Sequence, residues 1–421
     1  MKRRVLACAV AFALLPASAL AGPALPGVEV RSCAWALKLD PNGVNALFPD
    51  QSARYWVLDL PALPGTSLTI TGQFPHGRYT SFTTYDSGLR SVDGLADTAI
   101  VPDKGSSNPF LSGADRRARK RTYSVHVQQG TRPAHGPRNT LWTTSQDGQR
   151  SGTSFLVALR IYEPDRGLDE KGGVPLPTVA VDGPAGRTVL PSCSMPVPPS
   201  GTNGTLAAAS SPVRAGGSAP DEIVWRKFYN LPAAFTAALV PTGTPVARTL
   251  PQGGFLDNPD NKYVSAIVST ATGQAVVIHG RLPLTPGTLD GQHRMPAAEL
   301  RYWSLCTNEI ASQRFWGCVM DDQLPLTSDR RFTVVVTAEA DRPRNAVTGC
   351  GIAWLPAGPA IDTLLIERNM LPVKGFRYSI QRARYDHERQ DLGPFYPGAH
   401  YASVAQVEAL GCHPPAALPR H

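Results

Sequence analysis

The sequence predicts an all-β protein made of two tandem β-sandwich modules of jelly-roll-like topology, with a short C-terminal helix. A strand-like stretch at residues 74–86, FPHGRYTSFTTYD, returns in diverged form at 301–309 as RYWSLCTNE. The chain also contains 40 proline and 38 glycine residues, which favour many short strands and turns over long helices. At 421 residues the chain exceeds what one hydrophobic core usually serves, so we expect two domains.

The first 21 residues (1–21) are predicted to be a signal peptide. Three basic residues at positions 2–4 precede an apolar run and an Ala-Leu-Ala cleavage site at 19–21. The alternative is a lipoprotein acylated at Cys8. No later segment approaches the ~20 apolar residues that a spanning helix needs. We therefore expect a periplasmic or secreted protein with no transmembrane segment after cleavage.

The charge of the chain argues against a nucleic-acid partner. Signal cleavage leaves 38 basic and 33 acidic residues, a net charge of about +5, which is mild for a nucleic-acid binder. The one dense basic run, RRARKR at 116–121, is interpreted as a solvated loop. Its alternative role is contact with an anionic envelope polymer or nucleic acid.

Module one is predicted to span residues 22–195. Alternating apolar residues between turn signals predict six strands, at 55–60, 67–73, 78–85, 122–128, 138–143 and 154–162. Residues 86–120 are rich in turn-forming residues, so we expect no regular structure there.

Residues 196–220 are small and polar and are predicted to be a linker, which leaves 221–421 for module two. Six segments of module one return there in the same order, and this predicts an internal duplication. For example, FPDQSARYWVLDL is answered by LDNPDNKYVSAIV, and SFLVALRIYEP by DTLLIERNMLP. After the repeat we expect a strand at 376–381 and a helix at 403–410, which the Ser403 and Gln406 capping box begins and Gly411 ends.

Six cysteines remain after Cys8 leaves with the signal peptide. An even number in an exported protein favours disulfides over a metal site, and no short C-x-x-C spacing occurs. We expect no metal and no cofactor. The duplication favours pairing within modules, and the preferred pairs are Cys33 with Cys193, Cys306 with Cys318, and Cys350 with Cys412.

The repeated central strand has two different faces. In the first copy Thr80, Phe82 and Thr84 alternate with a face that carries tyrosine, serine and threonine. The polar face is either the second side of a closed sandwich or a surface where aromatic rings stack on sugar. The predicted binding residues are Tyr79, Ser81, Tyr85, Asn139, Trp142, Tyr302 and Ser304.

Module one contains a series of motifs in a fixed order: Y-x-S-F-x-x-Y-D, an Asn108-Pro109 turn, a proline-containing stretch with Asn139 and Trp142, and then LRIYEPD. This series resembles a family of uncharacterised domains. These are jelly-roll-like β-sandwich domains of unknown function in bacterial exported proteins. The resemblance covers both modules, since RYWSLCTNE and GIAWLPAGP also follow the pattern. It implies the fold but no reaction, and no catalytic residue is carried over.

The leading functional hypothesis is noncatalytic binding of an envelope or extracellular polymer such as a glycan. The sequence contains no G-x-S-x-G, H-E-x-x-H, G-x-x-x-x-G-K-[ST] or G-x-G-x-x-G motif. The alternatives are a hydrolase or lyase that acts in the cleft between the modules, and a purely structural envelope component. Whether the protein is an enzyme, which ligand it takes and its oligomeric state stay open at this point.

Overall fold

The computed structural model describes residues 33–41, 45–193, 223–230, 232–234, 236, 245–248 and 251–412. The predicted signal peptide and the predicted linker lie outside these residues. Within the described ranges, no helix combines the length and the apolar character that crossing a membrane requires.

Module one contains two five-stranded sheets. Its strands are β1 (Leu37–Leu39), β2 (Ala53–Pro61), β3 (Ser67–Gln73), β4 (Gly77–Tyr85), β5 (Ser91–Ala96), β6 (Thr122–Thr131), β7 (Thr140–Thr144), β8 (Ser154–Pro164), β9 (Thr178–Gly183) and β10 (Gly186–Val189). The first sheet has the order β1-β2-β8-β4-β5 and the second has the order β10-β9-β3-β6-β7. Strands β6 and β7 pair in parallel.

Module two repeats this plan. Its strands are β11 (Arg226–Lys227), β12 (Asn261–Ser269), β13 (Ala275–Arg281), β14 (Tyr302–Asn308), β15 (Phe315–Met320), β16 (Arg331–Thr337), β17 (Ala353–Pro356), β18 (Asp362–Met370) and β19 (Gly398–Ala402), with helices α1 (Glu388–Leu392) and α2 (Val404–Ala409). The first sheet has the order β11-β12-β18-β14-β15 and the second has the order β17-β16-β13-β19.

The two modules therefore share one topology, which confirms the all-β, two-module prediction. The strand order of the two first sheets is the same, position for position. The parallel pair β16 and β17 corresponds to β6 and β7, and β19 lies beside β13 as β9 lies beside β3. The six matched sequence segments form equivalent strands in the two modules.

Side chains of the central strands β4 and β14 alternate between two faces, as the two-residue period predicts. Phe82 of β4 lies in the core between the sheets of module one, and Trp303 and Leu305 of β14 lie in the core of module two. Tyr79 and Tyr302 project from the other side of the same strands into a separate buried cluster. Each module thus has its own hydrophobic core, and Met295 of module two also packs into the core of module one.

Two local predictions were wrong. Residues 91–96, inside the stretch expected to be irregular, form β5 because they pair with β4 and give the first sheet its edge. Residues 376–381 form turns instead of a strand. Phe376 and Ile380 still enter the core, and the Ile380 amide donates to the Asn369 side chain rather than to a neighbouring strand.

The C-terminal helix is confirmed, together with its predicted cap. The Gln406 amide donates to Ser403 Oγ at 3.2 Å, and the Ser403 amide donates to Gln406 Oε1 at 2.7 Å. This reciprocal pair satisfies two backbone donors at the start of α2.

The three predicted disulfides are present and join Cys33 to Cys193, Cys306 to Cys318, and Cys350 to Cys412. The first brackets module one, and the last ties the segment after α2 to the turn that precedes β17. Disulfides in this number are typical of proteins that fold in an oxidising compartment.

Candidate ligand-binding site between the two modules

The outer faces of the two first sheets pack against each other. Tyr162 of β8 lies at the centre of this contact, with its ring centroid 5.6 Å from that of Tyr79 and 5.4 Å from that of Tyr302. All three rings are buried, and all meet edge to face, which is a favoured geometry for aromatic pairs.

The equivalent residues Tyr79 and Tyr302 each bond a carboxylate across this interface. The Tyr79 hydroxyl donates to Asp260 at 2.7 Å, and the Tyr302 hydroxyl donates to Asp50 at 2.7 Å. Asp50 comes shortly before β2, and Asp260 comes immediately before β12. Each module therefore supplies one tyrosine and one carboxylate to its neighbour.

The arginine that precedes each of these tyrosines also pairs with a carboxylate of the opposite module. Arg78 reaches Asp321 of module two at 2.7 Å, and Arg301 reaches Asp97 of module one at 3.0 Å. Each aspartate begins a short 3-10 helix directly after the edge strand of its first sheet. The repeated Arg-Tyr pair is thus a reciprocal clamp between the modules.

The structure brings Tyr79, Ser81, Tyr85, Tyr302 and Ser304 together, but in the interface, where each is at most 1% exposed. Ser304 donates to Asp50, and the Tyr85 hydroxyl donates to the Asp257 carbonyl at 3.0 Å. The expectation of an open tyrosine face is corrected accordingly, because the other module covers it. A polymer in solution cannot reach these side chains while the modules are packed.

Asn139 and Trp142 do not join this group. Asn139 immediately precedes β7 and Trp142 lies within it, in the other sheet of module one. The Asn139 amide donates to the carbonyls of Val101 and Ser124 and so joins neighbouring backbone segments. Trp142 is half-buried.

Three carboxyl groups surround the buried Arg78 guanidinium. Glu163 lies 2.6 Å from Arg78, and Asp321 and Asp322 complete the group. Burial raises the pKa of Glu163 to about 8, and burial also raises the pKa of Asp322. One guanidinium cannot neutralise three carboxylates, so burial together with the charges of Asp321 and Asp322 favours the protonated form of Glu163.

Replacing Glu163 with glutamine is expected to flatten the pH dependence of stability. In the window from the usual pKa of 4.5 to about 8, the folded protein holds a proton that the unfolded chain has lost. Stability therefore falls as pH rises through this window, by roughly 1.4 kcal/mol per pH unit at most. Urea unfolding at pH 5.5, 6.5 and 7.5 measures the slope.

The exposed Glu339 offers the matched control, since its replacement with glutamine removes a carboxylate that no described residue bonds. The slope of this variant should equal that of the parent protein. If the Glu163 variant also keeps the parent slope, Glu163 is not the group that titrates.

At one edge of the interface the modules enclose a cavity of about 160 Å³. Two equivalent loops form part of its wall, 47–48 from module one and 255–256 from module two, and all four residues have positive φ. Bulky residues rarely adopt this conformation, and such strain is concentrated at functional sites.

Arginines from the opposite modules hold the two strained loops in place. Arg160 donates to the Leu256 carbonyl at 2.5 Å, and Arg368 donates to the Phe48 carbonyl at 2.8 Å. The wall of the cavity is therefore fixed by the same reciprocal contacts that join the modules.

Aromatic side chains form much of the remaining wall. Tyr55 and Tyr263, which are equivalent residues of β2 and β12, lie there with Phe228 and Tyr229. All four are half-buried, so each presents part of its surface to the cavity.

One polar side chain in this wall has no partner. Asn261 is 1% exposed, and neither its amide nitrogen nor its amide oxygen has a hydrogen-bond partner among the described residues. An unpaired buried amide costs about 1 to 3 kcal/mol, and native proteins usually avoid it. At the equivalent position module one has the buried Ala53, so the sandwich itself does not require a polar group there.

The sequence analysis did not select Asn261, Tyr55 or Tyr263. A signal was available, since the repeat aligns ARYWV with NKYVS and thereby places the two tyrosines at one position of the module. The unpaired state of Asn261 had no signal, because it depends on what the rest of the chain places around that side chain.

No family model matches the chain, and no curated protein matches it. Among solved structures, it resembles an uncharacterised protein from Burkholderia cenocepacia, at 13% identity over 90% of this chain and 84% of that chain, with a TM-score of 0.49. It also resembles a protein from Vibrio parahaemolyticus, at 10% identity over 84% of this chain and 90% of that chain, with a TM-score of 0.36.

Proposed function

We propose that the protein is a noncatalytic binding protein that holds one sugar unit of an envelope or extracellular glycan in the inter-module cavity. The observation that carries this proposal is the buried Asn261 amide, which lines an aromatic cavity with both of its polar atoms unpaired. A sugar hydroxyl both donates and accepts, so it can bond both amide atoms once the Asn261 side chain turns toward the cavity, since in this structure both atoms are shielded from solvent.

The size and lining of the cavity support this ligand class. An apolar cavity of roughly 150 Å³ holds a benzene molecule, so this cavity has room for about one six-membered ring. Aromatic walls with a few convergent polar groups are typical of small-molecule sites. Arg160 lies over the Tyr55 ring and Arg368 over the Tyr263 ring, and the parts of these half-buried rings that line the cavity suit contact with the apolar face of a sugar.

The carboxyl groups nearby favour binding over hydrolysis. Asp257 lines the cavity, but its carboxylate accepts hydrogen bonds from the amide and the hydroxyl of Ser91 at 2.8 and 2.7 Å. In the other carboxyl cluster, the Arg78 guanidinium contacts Glu163, Asp321 and Asp322 directly. A glycosidase needs two carboxyl groups free to flank the substrate.

The test uses the full mature chain on an unbiased glycan array, followed by calorimetry with each glycan that binds. Replacing Asn261 with alanine is expected to weaken binding at least about tenfold, because hydrogen bonds to the ligand are lost. The melting temperature should stay the same or rise, since the variant removes an unpaired amide and carries the residue that module one has at this position.

Asn345 offers a control, since its amide bonds the backbone at the end of α2, away from the cavity. Its alanine variant should bind glycan like the parent protein. The proposal fails if no glycan binds, if the Asn261 variant binds as tightly as the parent, or if mass spectrometry finds the bound glycan cleaved.

A further inference from the structure

Lys262 follows Asn261 on β12 and also lines the cavity. It is half-buried, and its ammonium makes no salt bridge with any described residue. Its one hydrogen bond there goes to the Pro259 carbonyl at 3.5 Å, which is long for an N–H···O bond. By contrast, Lys38 contacts two carboxylates.

A second cation lines the cavity from the other module. Arg150 of module one lines the cavity, and its guanidinium donates to the Ser91 carbonyl instead of to a carboxylate. Burial and the nearby charge of Arg150 both lower the pKa of Lys262. An anionic group in the cavity would interact favourably with both cations.

The nearest carboxylates do not supply that anion. Asp257 and Asp260 favour the charged form of Lys262, but each takes its hydrogen bonds from other groups. Asp257 accepts from Ser91, and Asp260 accepts from the Tyr79 hydroxyl. Burying a cation without a bonded partner is unfavourable, so a site with this charge arrangement suits an anionic ligand.

We infer that the cavity selects an anionic saccharide, whose acidic group pairs with Lys262 and Arg150 while Asn261 bonds a ring hydroxyl. This inference rests on the proposed function and narrows its ligand class. The acidic group is the carboxylate of a uronic acid or a sulfate ester, since both present anionic oxygens to an ammonium and a guanidinium.

The experiment compares three matched groups of glycans on the array, namely uronate-containing, sulfated and neutral. We expect binding to the anionic groups and at least tenfold weaker binding to neutral analogues. Binding should also weaken between 50 mM and 500 mM salt, because salt screens the ionic contacts. The uronate and sulfate groups of the array distinguish the two acidic groups.

Replacing Lys262 with glutamine should weaken binding of the anionic glycan about tenfold and leave the melting temperature unchanged or raised. The exposed Lys104, for which the structure describes no bonded partner, supplies the control, and its glutamine variant should bind like the parent protein.

Each failure has a distinct meaning. Equal binding of neutral and anionic glycans, or an unchanged affinity in the Lys262 variant, overturns the anionic selectivity and leaves the proposed function standing. Absence of binding to every glycan overturns the proposed function itself, and this inference with it.

Discussion

Replacing Arg78 with methionine is expected to lower the free energy of unfolding by about 3 to 5 kcal/mol. The Arg78 side chain is fully buried, and it is the cation that contacts Glu163, Asp321 and Asp322. Methionine fills similar space but leaves three carboxyl groups without a positive charge. Removing one partner of a buried ion pair is costly because the charge of the other partner stays in a medium of low polarity.

The unfolding profile should change as well as the midpoint. The modules have separate cores, and the Arg78 cluster belongs to the contact between them. Weakening that contact should therefore separate one cooperative transition into two, which calorimetry and intrinsic fluorescence can follow. Replacing Asp321 and Asp322 with asparagine in the same variant should recover part of the loss.

Arg331 provides the matched surface control for this experiment. Its guanidinium pairs with Asp329 in an exposed turn, where an ion pair contributes little. The Arg331→Met variant should unfold within about 0.5 kcal/mol of the parent protein. An Arg78→Met variant that loses less than about 1 kcal/mol would show that the clamp does not stabilise the protein.

Replacing Phe82 with alanine should cost about 3 to 5 kcal/mol through the core of module one. Phe82 has no exposed surface, and its ring lies edge to face with Tyr123 at a centroid distance of 5.8 Å. Truncation removes most of a buried side chain and leaves a cavity that the surrounding strands cannot fill. Chemical denaturation measures this loss, and Leu63→Ala, at a 60% exposed position, serves as its control.

Tyr85 provides a comparison with Phe82 within the same strand, β4. It lies on the opposite face of the same strand but is also buried, with its hydroxyl bonded to the Asp257 carbonyl and to Arg160. Tyr85→Phe keeps the ring and should cost about 1 to 2 kcal/mol through the lost hydrogen bonds. If Phe82→Ala costs no more than Tyr85→Phe, the assignment of Phe82 to the main core is wrong.

The sequence by itself determined the architecture of each module. The two-residue period of β4 and β14 placed Phe82 and Leu305 in the cores, because side chains of a strand alternate between its two faces. The repeat then predicted equivalent strands in both modules and allowed the three disulfides to be paired correctly. These features depend on local spacing and on order along the chain, which a sequence displays directly.

Only the tertiary structure decided what covers the tyrosine face and where the two modules leave a cavity. Alternation shows that Tyr79 and Tyr302 share the polar side of their strands, but it does not reveal that Asp260 and Asp50 of the opposite modules meet them there. Those contacts join residues 181 and 252 positions apart. The unpaired state of Asn261 likewise depends on every group packed around it, so it becomes visible only when both modules are in place.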